Sequence, residues 1–330
     1  MCSRPFGPNK KTTRAGPPYG ILEDAEQLDL VHQMSRPKIG LALSSGVGRG
    51  WAHIGVLKAL AAANIEVDVV AGTSIGALVG GVHLAGHLDL LEEWALNLNR
   101  LRIMRYIDLA PRGGGIIGGR RLQRLLRENL GHLEMEHLPK PFVVVATELE
   151  NGHEIWLRRG PLVASLQASY ALPGVFPPVE LDGHQLVDGA LVNPVPVSVC
   201  RALGARLVIA VNLNADMLGQ RRRAPAGEAE MPAGAPWPAG KSGVSMFDGL
   251  FGREDSPSMI SVMATSLNIL QDRLGRSRLA GDPPDVTIAP RVGHIGLLEF
   301  DRAEELIAEG EAAVQRSMPF LDEALAVLGD

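Results

Sequence analysis

Cysteine is almost absent: Cys2 and Cys200 are the only two in 330 residues. A disulfide framework is therefore not expected, and a reducing compartment is the simpler setting. Basic charge is also scarce. The 32 Lys and Arg residues face 37 Asp and Glu, and a net charge of -5 provides no positive field for sequence-independent nucleic-acid binding. Long apolar runs are missing too. The most apolar window, Val67 to Leu84, is interrupted by Asp68, Gly72, Ser74, Gly76 and His83, so no transmembrane span is expected. The first twenty residues are basic and rich in Pro and Gly but lack an apolar core, so no secretory leader is expected there. These absences point to the cytoplasm. With 46% hydrophobic and 21% charged residues the chain is otherwise an ordinary globular sequence that can bury a sizeable core.

Four stretches are expected. Residues 1–37 read as a flexible tail closed by Pro37, and 38–213 as the main folded core. Residues 214–257 shift sharply to Ala, Gly and Pro and read as a disordered insertion. Residues 258–330 add helices and one strand to the same domain. Within the core, IGLAL (39–43) reads as a buried strand, followed by a glycine-rich turn and a helix over about 50–63. A second strand near 67–71 and a helix from Ile75 follow. Further apolar runs predict strands at 141–147, 153–157, 185–188, 206–213 and 285–289. Strand and helix in alternation predict an α/β fold with a mostly parallel sheet. Leu91, Trp94, Leu98, Leu101 and Met104, at helical spacing, read as core packing in an inserted helical wall over about 88–130. Late in the insertion, Phe247, Leu250 and Phe251 either dock on the domain or, with Trp237 and Arg221–Arg223, touch a membrane surface.

Three segments carry chemistry. Gly72-Thr73-Ser74-Ile75-Gly76 lies between an apolar strand and a helix rich in small residues, the setting a nucleophile elbow requires. There Ser74 is a candidate nucleophile, although a G-x-S-x-G alone also suits a plain helix N-cap. Upstream, Ser44-Ser45-Gly46-Val47-Gly48-Arg49-Gly50 joins a strand to a helix, so its backbone N–H groups can converge on an anion or oxyanion. It is not a P-loop, because Gly50 is followed by Trp51-Ala52. It is not a dinucleotide loop either, because position 51 would have to be glycine. In Leu186-Val187-Asp188-Gly189-Ala190 a carboxylate ends an apolar run. Asp188 is either a turn residue or, beside the serine, a general base. A Ser…Asp…His triad would need a histidine after Asp188, and His294 is the one available. His53 reads as packed.

Taken together and in this order, these segments resemble the patatin-like phospholipase family, with a close match to bacterial RssA-type members. IGLALSSGVGRGWAHIGVLKAL is similar to the family's glycine-rich oxyanion segment, AGTSIGALVG to its elbow and LVDGALVNPVPV to its Asp-Gly-Ala/Gly segment. The resemblance implies a three-layer α/β/α fold and a Ser-Asp dyad on Ser74 and Asp188 without histidine. It also implies an oxyanion hole from the amides of Gly46, Val47 and Gly48, beside a loop arginine at Arg49. Phospholipids, lysophospholipids or other acyl esters become the expected substrates, with transient contact at the inner face of a membrane and no cofactor or metal. Ser44 and Ser45 stand where the family usually has glycines, and Val47 where a small residue is common, so the pocket beside the oxyanion should be tighter. The rival readings are a Ser-Asp-His esterase using His294 and a fold kept as a non-catalytic regulatory or lipid-binding module.

Overall fold

The sheet grows from the expected strand β1 (Ile39–Leu43), in which all five residues are buried. In a computed structural model of the chain, the described residues are 37–99, 120–218 and 259–329. The expected tail, apart from residue 37, lies outside them. So do most of the expected insertion, Leu101 and Met104 of the helical wall, and the membrane-surface candidates Arg221–Arg223, Trp237, Phe247, Leu250 and Phe251.

After β1 a 3-10 turn (Val47–Trp51) leads into helix α1 (Ala52–Ala62), strand β2 (Val69–Thr73), helix α2 (Ile75–Leu84) and helix α3 (Leu88–Leu96). Helix α4 (Arg120–Leu130), strands β3 (Phe142–Glu148) and β4 (Glu154–Leu157), and helix α5 (Leu162–Ser169) come next. Strands β5 (Val179–Leu181) and β6 (His184–Asp188), helix α6 (Val197–Ala202) and strand β7 (Leu207–Val211) follow. The chain closes with helix α7 (Met259–Gly281), strand β8 (Val286–Ile288) and helix α8 (Ala303–Gly329). Hydrogen-bonded pairing connects the strands in the sequence β5-β6-β3-β2-β1-β7-β8, and β4 also pairs with β3. Strands β3, β2, β1, β7 and β8 are parallel to their neighbours in that run, while β4 and β6 run antiparallel to β3. This is an α/β fold with a mostly parallel central sheet.

Alternation along the strands divides the interior into two layers. Ile39, Leu41 and Leu43 belong to a large core shared with α1, α2, α5 and α8. Ala42, Ala71, Val143 and Ala210 face the other way, against Val197, Val199 and Cys200 of α6. Small residues suit that second face because α6 lies close. Helices α1 and α8 approach closely through glycines: a Cβ on Gly55 would sit 1.9 Å from the Ile307 carbonyl oxygen, and one on Gly310 would sit 2.1 Å from that of Ala52. In the wall region Leu91 and Leu98 are buried in the main core and Trp94 packs against it.

Strand β5 was not foreseen from the sequence. It forms a hairpin with β6 through Asp182-Gly183, both at positive φ (51° and 82°), the backbone that a two-residue type I′ turn requires. The Asp-Gly signal was legible there, but three residues of Val-Glu-Leu are too short for periodicity to mark a strand.

One register relation positions the site. Thr147 pairs with both β4 and β6, and Val144 and Val145 pair with both β4 and β2, so β2 and β6 must share one edge of β3. They approach along it from opposite ends. Thr73 ends β2 opposite Val145, and Asp188 ends β6 opposite Ala146, the next residue of β3. The residue that follows β2 therefore meets the last residue of β6.

Candidate active site

Ser74 is that following residue. It is buried, and its backbone sits at φ 57° and ψ -123°, outside the ordinary regions for a residue with a side chain. Such a conformation costs on the order of 1–3 kcal/mol and is held only where the surroundings enforce it. Two features enforce it here. Gly72 and Gly76 leave no room for a side chain: a Cβ on Gly72 would come within 2.5 Å of the Ala77 Cα, and one on Gly76 within 2.4 Å of the Leu43 carbonyl oxygen. In addition, the Ser74 N–H donates to Ser169 Oγ at 2.8 Å, and that hydroxyl donates in turn to the Val145 carbonyl at 2.6 Å. Ser169 is fully buried at the end of α5. Ser169→Ala strands the Ser74 N–H without an acceptor, and urea denaturation should show a loss of about 2 kcal/mol.

The Ser74 hydroxyl donates to Asp188 Oδ2 at 2.7 Å. The other carboxylate oxygen of Asp188 accepts the Ala190 N–H at 2.9 Å. Burial pushes the Asp188 carboxyl up from 3.8 to about 7, against the opposing pull of the Ala190 amide and the Ser74 hydroxyl. Thr147 Oγ1 donates to the Asp188 carbonyl, and Thr73 Oγ1 donates to the Asn193 carbonyl at 2.8 Å. The loop after Asp188 is further tied by Asn193 Nδ2, which donates to Glu154 Oε1. Arg278 of α7 donates to Glu154 Oε2 and to the Val192 carbonyl. Gly189 permits the turn, since a Cβ there would lie 2.2 Å from the Val145 carbonyl oxygen.

The glycine-rich loop is brought beside this pair, with Val47 lining the same cavity as Ser74 and Asp188. Val47 adopts a positive φ of 50°, a strained conformation for a β-branched residue standing where a small one is common. Of the three amides expected to face an oxyanion, Gly48 departs from expectation, because its N–H donates to the Leu297 carbonyl at 2.8 Å. Those of Gly46 and Val47 have no acceptor among the described residues. Arg49 also differs from the expected oxyanion set. Its buried guanidinium donates from Nε to the Ile295 carbonyl at 2.7 Å, and burial lowers its pKa to about 10. It does not line the cavity and serves to anchor the loop. Trp51 Nε1 donates to the Phe300 carbonyl, so segment 295–300 is fastened to the loop at three points.

The cavity has a volume of ≈ 130 Å³ and apolar walls that include Ile75, Leu78, Leu172, Val175, Leu298 and Phe300. Two aromatic groups flank it. Trp51 makes edge contacts with Trp94 and Phe300, with ring centroids 5.8 and 6.3 Å apart, and Tyr170 packs edge-on against Phe176 at 5.6 Å. None of these aromatics, nor Ser169, was singled out as part of a site in the sequence; they become neighbours of Ser74 only through chain crossings.

His294 is half-exposed and paired with Glu305 at 2.7 Å, and it does not line the cavity. The two carboxylate oxygens of Asp188 are instead engaged by Ser74 and Ala190. His53 is fully buried, as expected. It bonds the Ser44 carbonyl through Nε2, and burial lowers its pKa to about 4, which keeps it neutral. The described residues contain no group of three or more metal-ligating side chains, and no described helix is long and apolar enough to cross a membrane.

Comparison with known proteins places this chain in a family. The model of the patatin-like phospholipase family matches residues 41–201, a span that includes the glycine-rich loop, the elbow and Asp188. An NTE family protein of Mycobacterium tuberculosis is 34% identical over 340 aligned positions, covering 87% of this chain and 93% of that protein. The neuropathy target esterase sws of Drosophila melanogaster is 31% identical over 191 positions, which span 56% of this chain and 13% of that much longer protein. Among solved structures, VipD from Legionella pneumophila superposes with a TM-score of 0.46 at 14% identity, covering 88% of this chain and 67% of that one. With a relative similar along nearly its whole length and the family segment spanning its serine elbow and its aspartate, this chain belongs to the patatin-like phospholipase family.

Proposed function

We propose that the protein is a serine acyl-ester hydrolase acting on phospholipid, lysophospholipid or related lipid esters through a dyad of Ser74 and Asp188. The observation that carries this reading is the 2.7 Å hydrogen bond from the Ser74 hydroxyl to a buried carboxylate, beside an apolar cavity. The Asp188 carboxyl, held near 7, suits a base that must accept a proton and return it close to neutral pH.

In the first step Asp188 takes the proton from Ser74 Oγ as that oxygen bonds to the ester carbonyl carbon. The carbonyl oxygen becomes an oxyanion held by the Gly46 and Val47 amides and favoured by the N-terminus of α2. Collapse of the tetrahedral species breaks the bond to the alcohol, which leaves with the proton from Asp188. A water molecule then gives its proton to Asp188 and attacks the acyl-serine; the bond from the acyl carbon to Ser74 Oγ breaks, the acid leaves, and Ser74 Oγ takes the proton back from Asp188. The Gly48 amide joins the oxyanion donors only when its bond to Leu297 opens. At ≈ 130 Å³ the cavity is also smaller than the roughly 300–1,000 Å³ of most ligand cavities, so long acyl chains require segment 295–300 to yield. Lipid substrates place the enzyme at a membrane surface, where the exposed Val262, Ile269 and Leu270 of α7 offer apolar contact.

Hydrolysis of p-nitrophenyl esters of graded chain length tests the proposal. Wild type should turn over short chains fastest, Ser74→Ala should be inert, and His294→Ala should keep wild-type rates. Loss of activity in His294→Ala would restore the triad reading. A wild type inert on these esters and on phospholipids alike would leave the non-catalytic module.

A further inference from the structure

A second cavity, of ≈ 180 Å³, shares Tyr170 and Phe176 with the one that holds Ser74. Its other walls include Gln123, Gln167, Pro177 and Pro178, and no acidic side chain lines it. Two polar atoms on these walls, the hydroxyl of Tyr170 and Nε2 of Gln167, are buried with no hydrogen-bond partner at ordinary bonding distance among the described residues, although Gln167 lies close enough to act on the Tyr170 phenol. Gln167 is only 6% exposed. A folded protein rarely leaves such donors unpaired, and each instance calls for an explanation. The positive charge of Arg127 also acts on the Tyr170 phenol, and Arg127 has no side-chain partner among the described residues. Two adjacent donors without an ordinary hydrogen-bond acceptor among the described residues, a nearby cation and no carboxylate make a site for an acceptor-rich, negatively charged group.

We propose that this second cavity is a leaving-group subsite that takes the phosphodiester of a lysophospholipid head group while the acyl chain occupies the apolar cavity beside Ser74. The assignment rests on the lipid-ester reading above for the identity of the acyl side. Tyr170, common to both cavities, places the phosphodiester next to the scissile ester, as the short glycerol spacer of such a lipid demands. A neutral alcohol leaves both donors unpaired and is disfavoured on that ground.

The test is a binding measurement on Ser74→Ala, which needs no turnover. Isothermal titration compares a short-chain ether lysophosphatidylcholine, an alkylglycerol of the same chain length and inorganic phosphate. The ether lysophospholipid should bind about tenfold more tightly than the alkylglycerol, and that preference should vanish when Gln167→Leu or Tyr170→Phe is added. Equal binding of the two ethers, or a preference that survives both substitutions, overturns the proposal. Inorganic phosphate binding as tightly as the ether lysophospholipid would make this a free-phosphate site and also overturn it. The hydrolase reading fails separately. Selective binding by a protein that turns over no ester sinks the hydrolase and keeps the subsite, whereas ester turnover without the preference does the reverse.

Discussion

Asp188→Asn is expected to lower kcat on p-nitrophenyl esters by about 10⁴-fold while leaving the protein folded, the upper range for loss of a positioned base. Asparagine keeps the shape of the side chain and can still accept the Ala190 N–H, but it cannot take the Ser74 proton across the 2.7 Å bond. The pH dependence follows from the same carboxyl. Only its ionised form acts as base, so wild-type kcat/KM should rise about tenfold per pH unit up to about 7 and then level off. Stability runs the other way. The folded carboxyl keeps its proton up to about 7 whereas the unfolded chain releases it near 3.8, so this residue's contribution to stability is fully present below 3.8 and is lost as pH rises through about 7. At pH 8 the Asp188→Asn protein should therefore melt above wild type although it is inactive. A melting temperature at or below wild type at pH 8, or a pH profile without a break near 7, would show that Asp188 is not the buried base.

Gly76→Ala is expected to cost about 3 kcal/mol of stability and nearly all activity. The added Cβ would lie 2.4 Å from the Leu43 carbonyl oxygen and 2.5 Å from that of Ser44, both backbone atoms that cannot rotate away. Either α2 shifts away from β1, which moves Ser74, or the chain leading into the glycine-rich loop is displaced, which moves the Gly46 and Val47 amides. Thermal denaturation with a p-nitrophenyl ester assay on the same sample reads both effects. A variant that loses stability but keeps its rate would show that the elbow and the loop move independently.

Much of the sheet was legible because its strands are buried and apolar, with small residues where α6 lies close. IGLAL ends at the boundaries read from the sequence, and the remaining expected strands differ from the observed ones by no more than two residues at either end. The elbow was equally local. A serine between glycines, after an apolar strand and before a helix, can satisfy its backbone in few ways, and Ser74 sits in the strained conformation that pattern calls for. The loop was less legible. Gly48 and Arg49 read as parts of an oxyanion site, but the partners that claim them, Leu297 and Ile295, lie about 250 residues further along the chain. Hydrogen bonds across such a separation leave no local pattern.

Taken alone, the sequence determined the strand and helix types, the elbow at Ser74 and the candidacy of Asp188, because hydrophobic period and glycine placement act over a few residues. Only the tertiary structure decided that Ser74 and Asp188 touch, because that depends on β2 and β6 meeting end to end on one edge of β3. It likewise decided that Ser169 caps the elbow, that segment 295–300 occupies the Gly48 amide, and that the Tyr170 hydroxyl and Gln167 Nε2 lie beside the cavity without an ordinary hydrogen-bond partner among the described residues. The reason is common to all of them: burial and hydrogen-bond partnership are properties of which surfaces meet, and a linear sequence carries them only after the sheet has set its register.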